Sequence, residues 1–502
     1  MSEERLAIID IGSNSCRLIA TRVDSAGCLE ILDEVQEQLR LVRGLGPART
    51  LSAEIIQRAI ETLRDFKSVA IRSGATRTIA LATSAVRDAR NGLELVSRIQ
   101  DELGISVQTI SGDREALLAF RGAVQSLPVS DGLLVDIGGG SMELCSFIDR
   151  MAVRTWTLPL GALRVSDEFL KSDPPTASDV RRLRNYVGSA IEDAGVPRLE
   201  PDEHLVGTGG TIRNLARMDL RARTYPIAGV HGYDLSGRRV EALSDLLIGR
   251  KASARAAIPG LNGGRVDSIH GGALTLLTLM ESVGATNVQV SGQGLREGAA
   301  HAEMTDHVPS AASVRQASLA SLVSRFAVVD AESVQRRITM SNEVLRAIEP
   351  GPAPETGDIL RYAAHVLDIG RSIDYYRRHQ HTAAILLAAN LPGFSHRDLA
   401  LVAAVVRHVD EARVRLGAFE PVLGAQDQLA VDRASTILAL AAEIERRWPP
   451  AMPFDFSVEK RGKDLVLGAP VAPGRWSEDL APRLRRSVRV RLRLQAQSSP
   501  GA

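Results

Sequence analysis

Two stretches of the chain repeat one another: IIDIGSNSCRLI from Ile8 to Ile19, and LVDIGGGSMELC from Leu134 to Cys145. They share Asp10 with Asp136, Ile11 with Ile137, Gly12 with Gly138, Ser15 with Ser141 and Leu18 with Leu144. In each, apolar residues run up to the Asp and away from the Ser, which reads as a strand, a turn of small residues and a returning strand. A carboxylate is thereby delivered to a strand end, beside backbone N–H groups that can face an anion. Gly138, Gly139 and Gly140 clear side chains from the second turn so that a phosphate can approach its backbone. The carboxylates themselves repel phosphate, so their expected task is to hold a hydrated Mg²⁺ or to orient water. Two related halves, each carrying such a loop, are expected to face each other across a cleft and grip a phosphate chain from both sides.

A chain of 502 residues is too long for one ordinary core. Hydrophobic content of 44% and charged content of 24% are those of a globular protein. Aromatic residues at 4% argue against base-stacking platforms, and a net charge of +1 gives no general affinity for polyanions, so no sequence-specific nucleic acid is expected as a partner. Cys16, Cys28 and Cys145 share no metal-binding or disulfide spacing and read as reduced thiols. The start, MSEERLAIIDIG, lacks the pattern of a signal peptide, and apolar runs such as LALVAAVV are too short to span a membrane. A cytoplasmic protein without a transmembrane segment is expected.

Along the chain, strands and tight turns over residues 6–38 are followed by a helix from Ser52 to Ile71, where Ile55, Ile56, Ala59, Ile60, Leu63 and Phe66 fall at helical spacing. A strand from Thr78 to Ala82, helices over 93–103 and 114–125, and a fresh start at Gly132 indicate two α/β domains, residues 1–128 and 129–305. The second ends with a strand reaching LVGTGG, a helix from Ile212, and the strand VQVSGQG before Leu295. GTGGTIRN, from Gly207 to Asn214, is a third glycine-rich loop; it lacks the third glycine of a dinucleotide fingerprint, and no P-loop lysine follows it. Residues 306–447 read as all-helical, and 448–502 as a small β-rich piece in which the arginines of SVRVRLRL line one face of a strand, either as a solvated edge or as an electropositive rail.

IDIGSNSCRL, ATSAVRDA, ISGDREA, VDIGGGSMEL, GTGGT and SGQGLREG follow one another as in the exopolyphosphatase and guanosine pentaphosphate phosphatase family, which the chain resembles over residues 5–300. LPGFSHRDLALVAAVVRH resembles the helical domain of that family's long members. The resemblance implies two actin-like (ribonuclease H-like) domains with a cleft between them, an HD-like helical domain, and a homodimer. It implies that Glu115 is the general base and that Arg87 binds the terminal phosphate. Asp136 and Glu143, with help from Asp10, would position Mg²⁺ and water. Ser13, Asn14, Ser15, Gly138, Gly139, Gly140, Ser141, Gly209, Gly210 and Thr211 would cradle phosphates. Glu143 stands in the second repeat where Arg17 stands in the first, so the second loop is expected to organise metal and the first to grip phosphate.

Three departures stand out: Arg114 where an acid is usual, Met142 where a small hydroxyl residue is usual, and Leu367 before Asp368, which breaks the His-Asp dyad of an HD site. His365, His379, His381 and His408 are accordingly expected to be structural. The implied activity is release of terminal phosphate from inorganic polyphosphate, with the 5′-phosphate of guanosine pentaphosphate as the alternative substrate. An actin-like small-molecule kinase and a non-catalytic polyphosphate or alarmone binder are the remaining readings.

Overall fold

The structure, a computed structural model, describes residues 5–45, 48–326, 330–352, 354–450 and 452–496. The opening residues of MSEERLAIIDIG and the far end of the 448–502 segment lie outside them. The chain divides into two compact units, the first comprising residues 1–224, 229–318 and 392–395 and the second 225–228, 319–391 and 396–502.

The first unit is built on two sheets. Strands β1 (Arg5–Ile11), β2 (Cys16–Val23), β3 (Leu29–Glu37), β4 (Arg77–Ala82) and β5 (Val107–Thr109) assemble in the order β3-β2-β1-β4-β5. The second sheet contains β6 (Gly132–Ile137), β7 (Met142–Ile148), β8 (Met151–Leu158), β9 (His204–Thr208), β10 (Tyr233–Ser236) and β11 (Asn287–Val290), ordered β10-β11-β9-β6-β7-β8. Each sheet has an antiparallel meander of three strands followed by strands parallel to its first, with β10 added antiparallel at the edge of the second sheet. The repeated sequence is thus a repeated topology, with β1–β2 and β6–β7 as corresponding hairpins.

Period-two burial lets β1 serve two cores. Ala7, Ile9 and Ile11 pack with Ile56, Ile60 and Leu63 of the Ala53–Arg72 helix, while Leu6 and Ile8 pack on the opposite side with Leu118, Leu295 and Ala299. Leu118 belongs to the Gly112–Ser126 helix, whose Phe120 and Val124 pack with Leu134, Cys145 and Phe147 of the second sheet. One helix therefore backs both sheets. It crosses the Leu295–Met304 helix backbone to backbone, since a methyl group at Gly122 would run into the Gly294 carbonyl and one at Gly298 into the Leu118 carbonyl.

The second unit is mainly helical, including helices Ala331–Ile348, Arg378–Ala388, His396–Arg407 and Asp427–Glu445. Its small sheet, β12 (Ser457–Arg461), β13 (Asp464–Ala469) and β14 (Arg491–Ala496), corrects the expected arginine-lined strand. Arg485 and Arg486 end a helix, Arg475–Ser487, and only Arg491 and Arg493 reach the strand, where both pair with Asp464, at 2.8 and 3.8 Å. The side chains Trp476, Leu480, Leu484 and Val488 recur every four residues, a helical period that the alternation after Ser487 disguises. Among the described residues no helix is long and apolar enough to cross a membrane.

Candidate active site

The two repeated turns have the same local geometry. Gly12 N–H donates to the Ser15 carbonyl at 3.2 Å and Gly138 N–H to the Ser141 carbonyl at 3.0 Å, so each turn is closed by the same hydrogen bond. The loops also meet: a Cβ on Gly139 would lie 3.1 Å from the Cβ of Asn14, and one on Gly140 would lie 2.9 Å from Ser13 Oγ. Ser13 Oγ is itself hydrogen-bonded at 2.6 Å to Ser84 Oγ, at the end of the first sheet's parallel part. The third loop begins a helix at Gly209, earlier than the expected Ile212. Gly209 has φ +85°, and a side chain there would collide with the Asp136 carboxylate, so glycine is required both by conformation and by space.

These loops enclose a narrow cavity of about 90 Å³ lined by Asp10, Ser13, Asn14, Ser15, Glu115, Asp136, Gly138, Gly139, Ser141, Glu143, Gly209 and Gly210. Most of the expected site residues are therefore brought together. Arg87, Gly140 and Thr211 are not among the residues lining it. Arg87 Nη1 donates to Glu115 Oε2 at 3.2 Å and to the Ile110 carbonyl at 2.9 Å, fixing its guanidinium beside the acid. Thr211 is fully buried, and its Oγ1 has no partner. Glu115 sits in the first turn of the Gly112–Ser126 helix, whose N-cap Ser111 accepts from Arg114 N–H. Arg114, the unusual residue of that segment, thus contributes its backbone to the helix start, and it does not line the cavity.

The carboxylates are under electrostatic stress. Burial lifts Asp10 to about 6, more than Arg17 and Arg296 lower it, and lifts Glu115 to about 8 against the opposing pull of Arg87. Asp136 is raised by burial, and Glu143 is raised well above the carboxylate range by burial and then by Glu115 and Asp136. Glu143 is 1% exposed and its Oε1 has no hydrogen-bond partner.

Arg17, whose place in the first repeat led to the expectation that this loop grips phosphate, lines the same cavity, and so do three arginines outside the expected set, Arg213, Arg265 and Arg296, with Glu297. Burial, and then Arg213, Arg296 and Arg265, push Arg17 down to about 9; burial and Arg213 push Arg265 down to about 10. Guanidinium groups of this kind remain charged, so the depression expresses first their removal from solvent and then the charge of neighbouring guanidinium groups. Arg296 lies 2.7 Å from Glu34 and 3.6 Å from Glu297, which balance its charge. Arg265 lies so close over Gly210 that any side chain there would displace its guanidinium. Arg213 and Arg296 lay within quoted motifs, GTGGTIRN and SGQGLREG, and had a local signal; Arg265, in NGGRVD, had none.

Arg17 faces Asp10 across the β1–β2 hairpin, as Glu143 faces Asp136 across β6–β7. The two hairpins thus present opposite charges at equivalent positions. Outside the cavity, Arg40 pairs with Asp267 at 2.7 Å and Arg164 with Asp88 at 3.0 Å, linking the two halves of the first unit.

Carboxylates pushed up by burial and by one another are stabilised by a cation, and arginines gathered at one cavity are stabilised by an anion. The cavity holds both groups, which is the requirement of a site for a polyanion carried with a metal ion.

The chain is also similar to known proteins. The Ppx/GppA phosphatase family pattern matches residues 18–307, and the pattern of Ppx/GppA phosphatase domain III matches residues 314–469. Exopolyphosphatase 1 of Mycobacterium leprae (strain TN) is 32% identical over 300 residues, covering 59% of this chain and 88% of the relative. The crystal structure of an exopolyphosphatase from Cytophaga hutchinsonii superposes with a TM-score of 0.56 at 28% identity, over 60% of this chain and 98% of that one. The Aquifex aeolicus member of the Ppx/GppA family gives a TM-score of 0.53 at 28% identity, over 60% of this chain and 97% of that one. With two actin-like halves meeting at the repeated loops and a domain III after them, the chain belongs to the Ppx/GppA phosphatase family.

Proposed function

We propose that this protein is an exopolyphosphatase, a hydrolase that releases orthophosphate from the end of inorganic polyphosphate. The observation that carries the reading is the convergence of half-buried Arg17 and Arg213 and buried Arg265 with half-buried Asp10, Glu115 and Asp136 and buried Glu143 in one narrow cavity. A bare phosphate chain matches the arginines and needs no pocket for a base.

In this reading the terminal phosphoryl group lies against the backbone N–H groups and hydroxyls of Ser13, Asn14, Ser15, Gly138, Gly139, Gly140 and Ser141, with Gly209, Gly210 and Thr211 at the third loop. Water attacks in line: its oxygen bonds to phosphorus as the bridging P–O bond breaks, Glu115 takes its proton, and the shortened chain leaves with the electron pair. Arg87 neutralises charge gathering on the terminal oxygens.

A divalent cation, Mg²⁺ in our proposal, would be held through Asp136 and Glu143 with Asp10 assisting. Among the described residues no three His, Cys, Asp or Glu side chains stand close enough to hold an ion alone. This suits Mg²⁺, which commonly binds through one or two carboxylates, waters and substrate phosphate. The unpartnered Glu143 Oε1 and the oxygen-only donor set fit such an ion. When bound, it would neutralise phosphate charge and the crowded carboxylates.

Assays of phosphate release from long polyphosphate, short polyphosphate and guanosine pentaphosphate test the reading. Preferential hydrolysis of the nucleotide would move the assignment to the alternative substrate, and ADP formation from ATP dependent on a small metabolite would replace it with a kinase. The four-part division at 128, 305 and 447, a cytoplasmic location and a homodimer belong to the same proposal. Exposed Ile148, Met151 and Val153 on the β7–β8 hairpin support self-association, which sedimentation measures.

A further inference from the structure

A cavity of about 750 Å³ in the second unit is about eight times the volume of the cleft, which is about 90 Å³. It is walled by the Ala331–Ile348, Arg378–Ala388, Asp427–Glu445 and Arg475–Ser487 helices. Its position coincides with the broken His-Asp dyad, and the chemistry there is altered. Arg337, only 4% exposed, donates from Nη1 to Asp368 at 2.5 Å, so a guanidinium occupies the partner's place beside the surviving Asp. Arg337 Nε and Nη2 have no partner. Nearby, His379 Nδ1 lies 2.8 Å from Asp410.

Arginines and acids are both numerous around the cavity, so total charge decides little and their pairing decides more. Arg378 pairs with Asp410 at 3.4 Å and Arg446 with Glu443 at 3.2 Å. Arg371 and Arg475 have no ion-pair partner among the described residues, although both line the cavity. Two aromatic rings stand among these groups. The Arg447 guanidinium lies 5.0 Å from the Trp476 ring centre, and that of Arg378 lies 5.0 Å from the centre of Tyr375. A bare polyphosphate would meet the carboxylates Glu443, Asp410 and Asp479 with repulsion. A nucleotide uses both kinds of wall, phosphates on the arginines and ribose or base N–H and O–H groups on the carboxylates, with the base against an aromatic ring. The volume lies in the range of small-ligand pockets, roughly 300–1,000 Å³.

We propose that this cavity is a second ligand site, which binds a nucleoside polyphosphate with its phosphates toward Arg337, Arg371 and Arg475 and its base on Trp476. The site is independent of what the cleft hydrolyses.

The test uses the full chain carrying Glu115→Gln and the fluorescent probes methylanthraniloyl-ATP and methylanthraniloyl-GTP. Binding is read by anisotropy and by energy transfer from tryptophan. The expected result is saturable binding that weakens roughly tenfold or more in an Arg371→Ser/Arg475→Ser variant, because two charge-assisted contacts are lost. Energy transfer should fall sharply in Trp476→Phe while anisotropy still reports binding. Both arginines are exposed, so their replacement leaves the fold intact, and the pair made with Glu115 retained should keep its parent's rate of phosphate release. The proposal is overturned if neither probe binds at millimolar concentration, or if binding is unchanged in the double variant. It is equally overturned if Arg17→Ala in the cleft abolishes the binding, or if tripolyphosphate binds the cavity as tightly as either nucleotide.

Discussion

Arg87 Nη1 lies 3.2 Å from Glu115 Oε2, yet the Glu115 carboxyl is raised to about 8. The salt bridge lowers the value and burial raises it more, with Asp10 and Asp136 adding to the rise. The proposed base is therefore protonated at neutral pH in the empty cleft and needs a neighbouring positive charge to release its proton. Phosphate release should rise with pH along a limb set by this group, and that limb should move to lower pH as divalent cation is added. A profile insensitive to cation concentration would separate the limb from Glu115. Glu115→Gln should reduce kcat by roughly 10²–10⁴-fold, the usual contribution of a general base, and a variant with unchanged kcat would remove Glu115 from the role.

Arg213 and Arg265 make a prediction about affinity. Half-buried Arg213 and buried Arg265 each place a guanidinium at the cavity, so Arg213→Ala or Arg265→Ala should raise KM for long polyphosphate roughly tenfold or more, with a smaller change in kcat. Steady-state kinetics at fixed ionic strength checks this. A fall in kcat at constant KM would place the pair at the reacting end.

Gly209 sets a geometric condition. At φ +85°, with the Asp136 carboxylate filling the place of a side chain, Gly209→Ala should cost about 1–2 kcal/mol of stability from backbone conformation alone. Because the collision displaces Asp136, phosphate release should fall by roughly tenfold or more even at temperatures where the variant is folded. Thermal unfolding and activity measured together distinguish the two effects.

Asp10 gives a pH-dependent stability. Its folded value of about 6 lies above the ordinary aspartate value of 3.8, so its contribution is fully present below about 4 and is lost as pH rises through about 6. Asp10→Asn should stabilise the metal-free protein by roughly 1–3 kcal/mol at pH 7 and by little at pH 4. Denaturant unfolding at the two pH values measures it, and equal effects at both would contradict the assigned shift. Added divalent cation should reduce the advantage of Asn, because the charged Asp then has a partner.

Much of the site was legible because its signals are local. The repeated DIG turn and the glycines that free it of side chains act over a few residues. The helix at 475–487 was missed for the opposite reason: its four-residue spacing adjoins an alternating run whose period dominates a short window. Glu115 could be read as a mere helix-start acid until the fold showed it buried beside Arg87 with Asp10 and Asp136 nearby.

The sequence by itself determined that two halves would share one topology, because strand alternation and turn chemistry are properties of neighbouring residues. It also determined the family, through motifs kept in order. Only the tertiary structure decided that Arg17, Arg213 and Arg265 converge, that Arg337 stands against Asp368, and which carboxylates are pushed up. Burial and charge repulsion act through space, between residues that the chain keeps far apart until it folds.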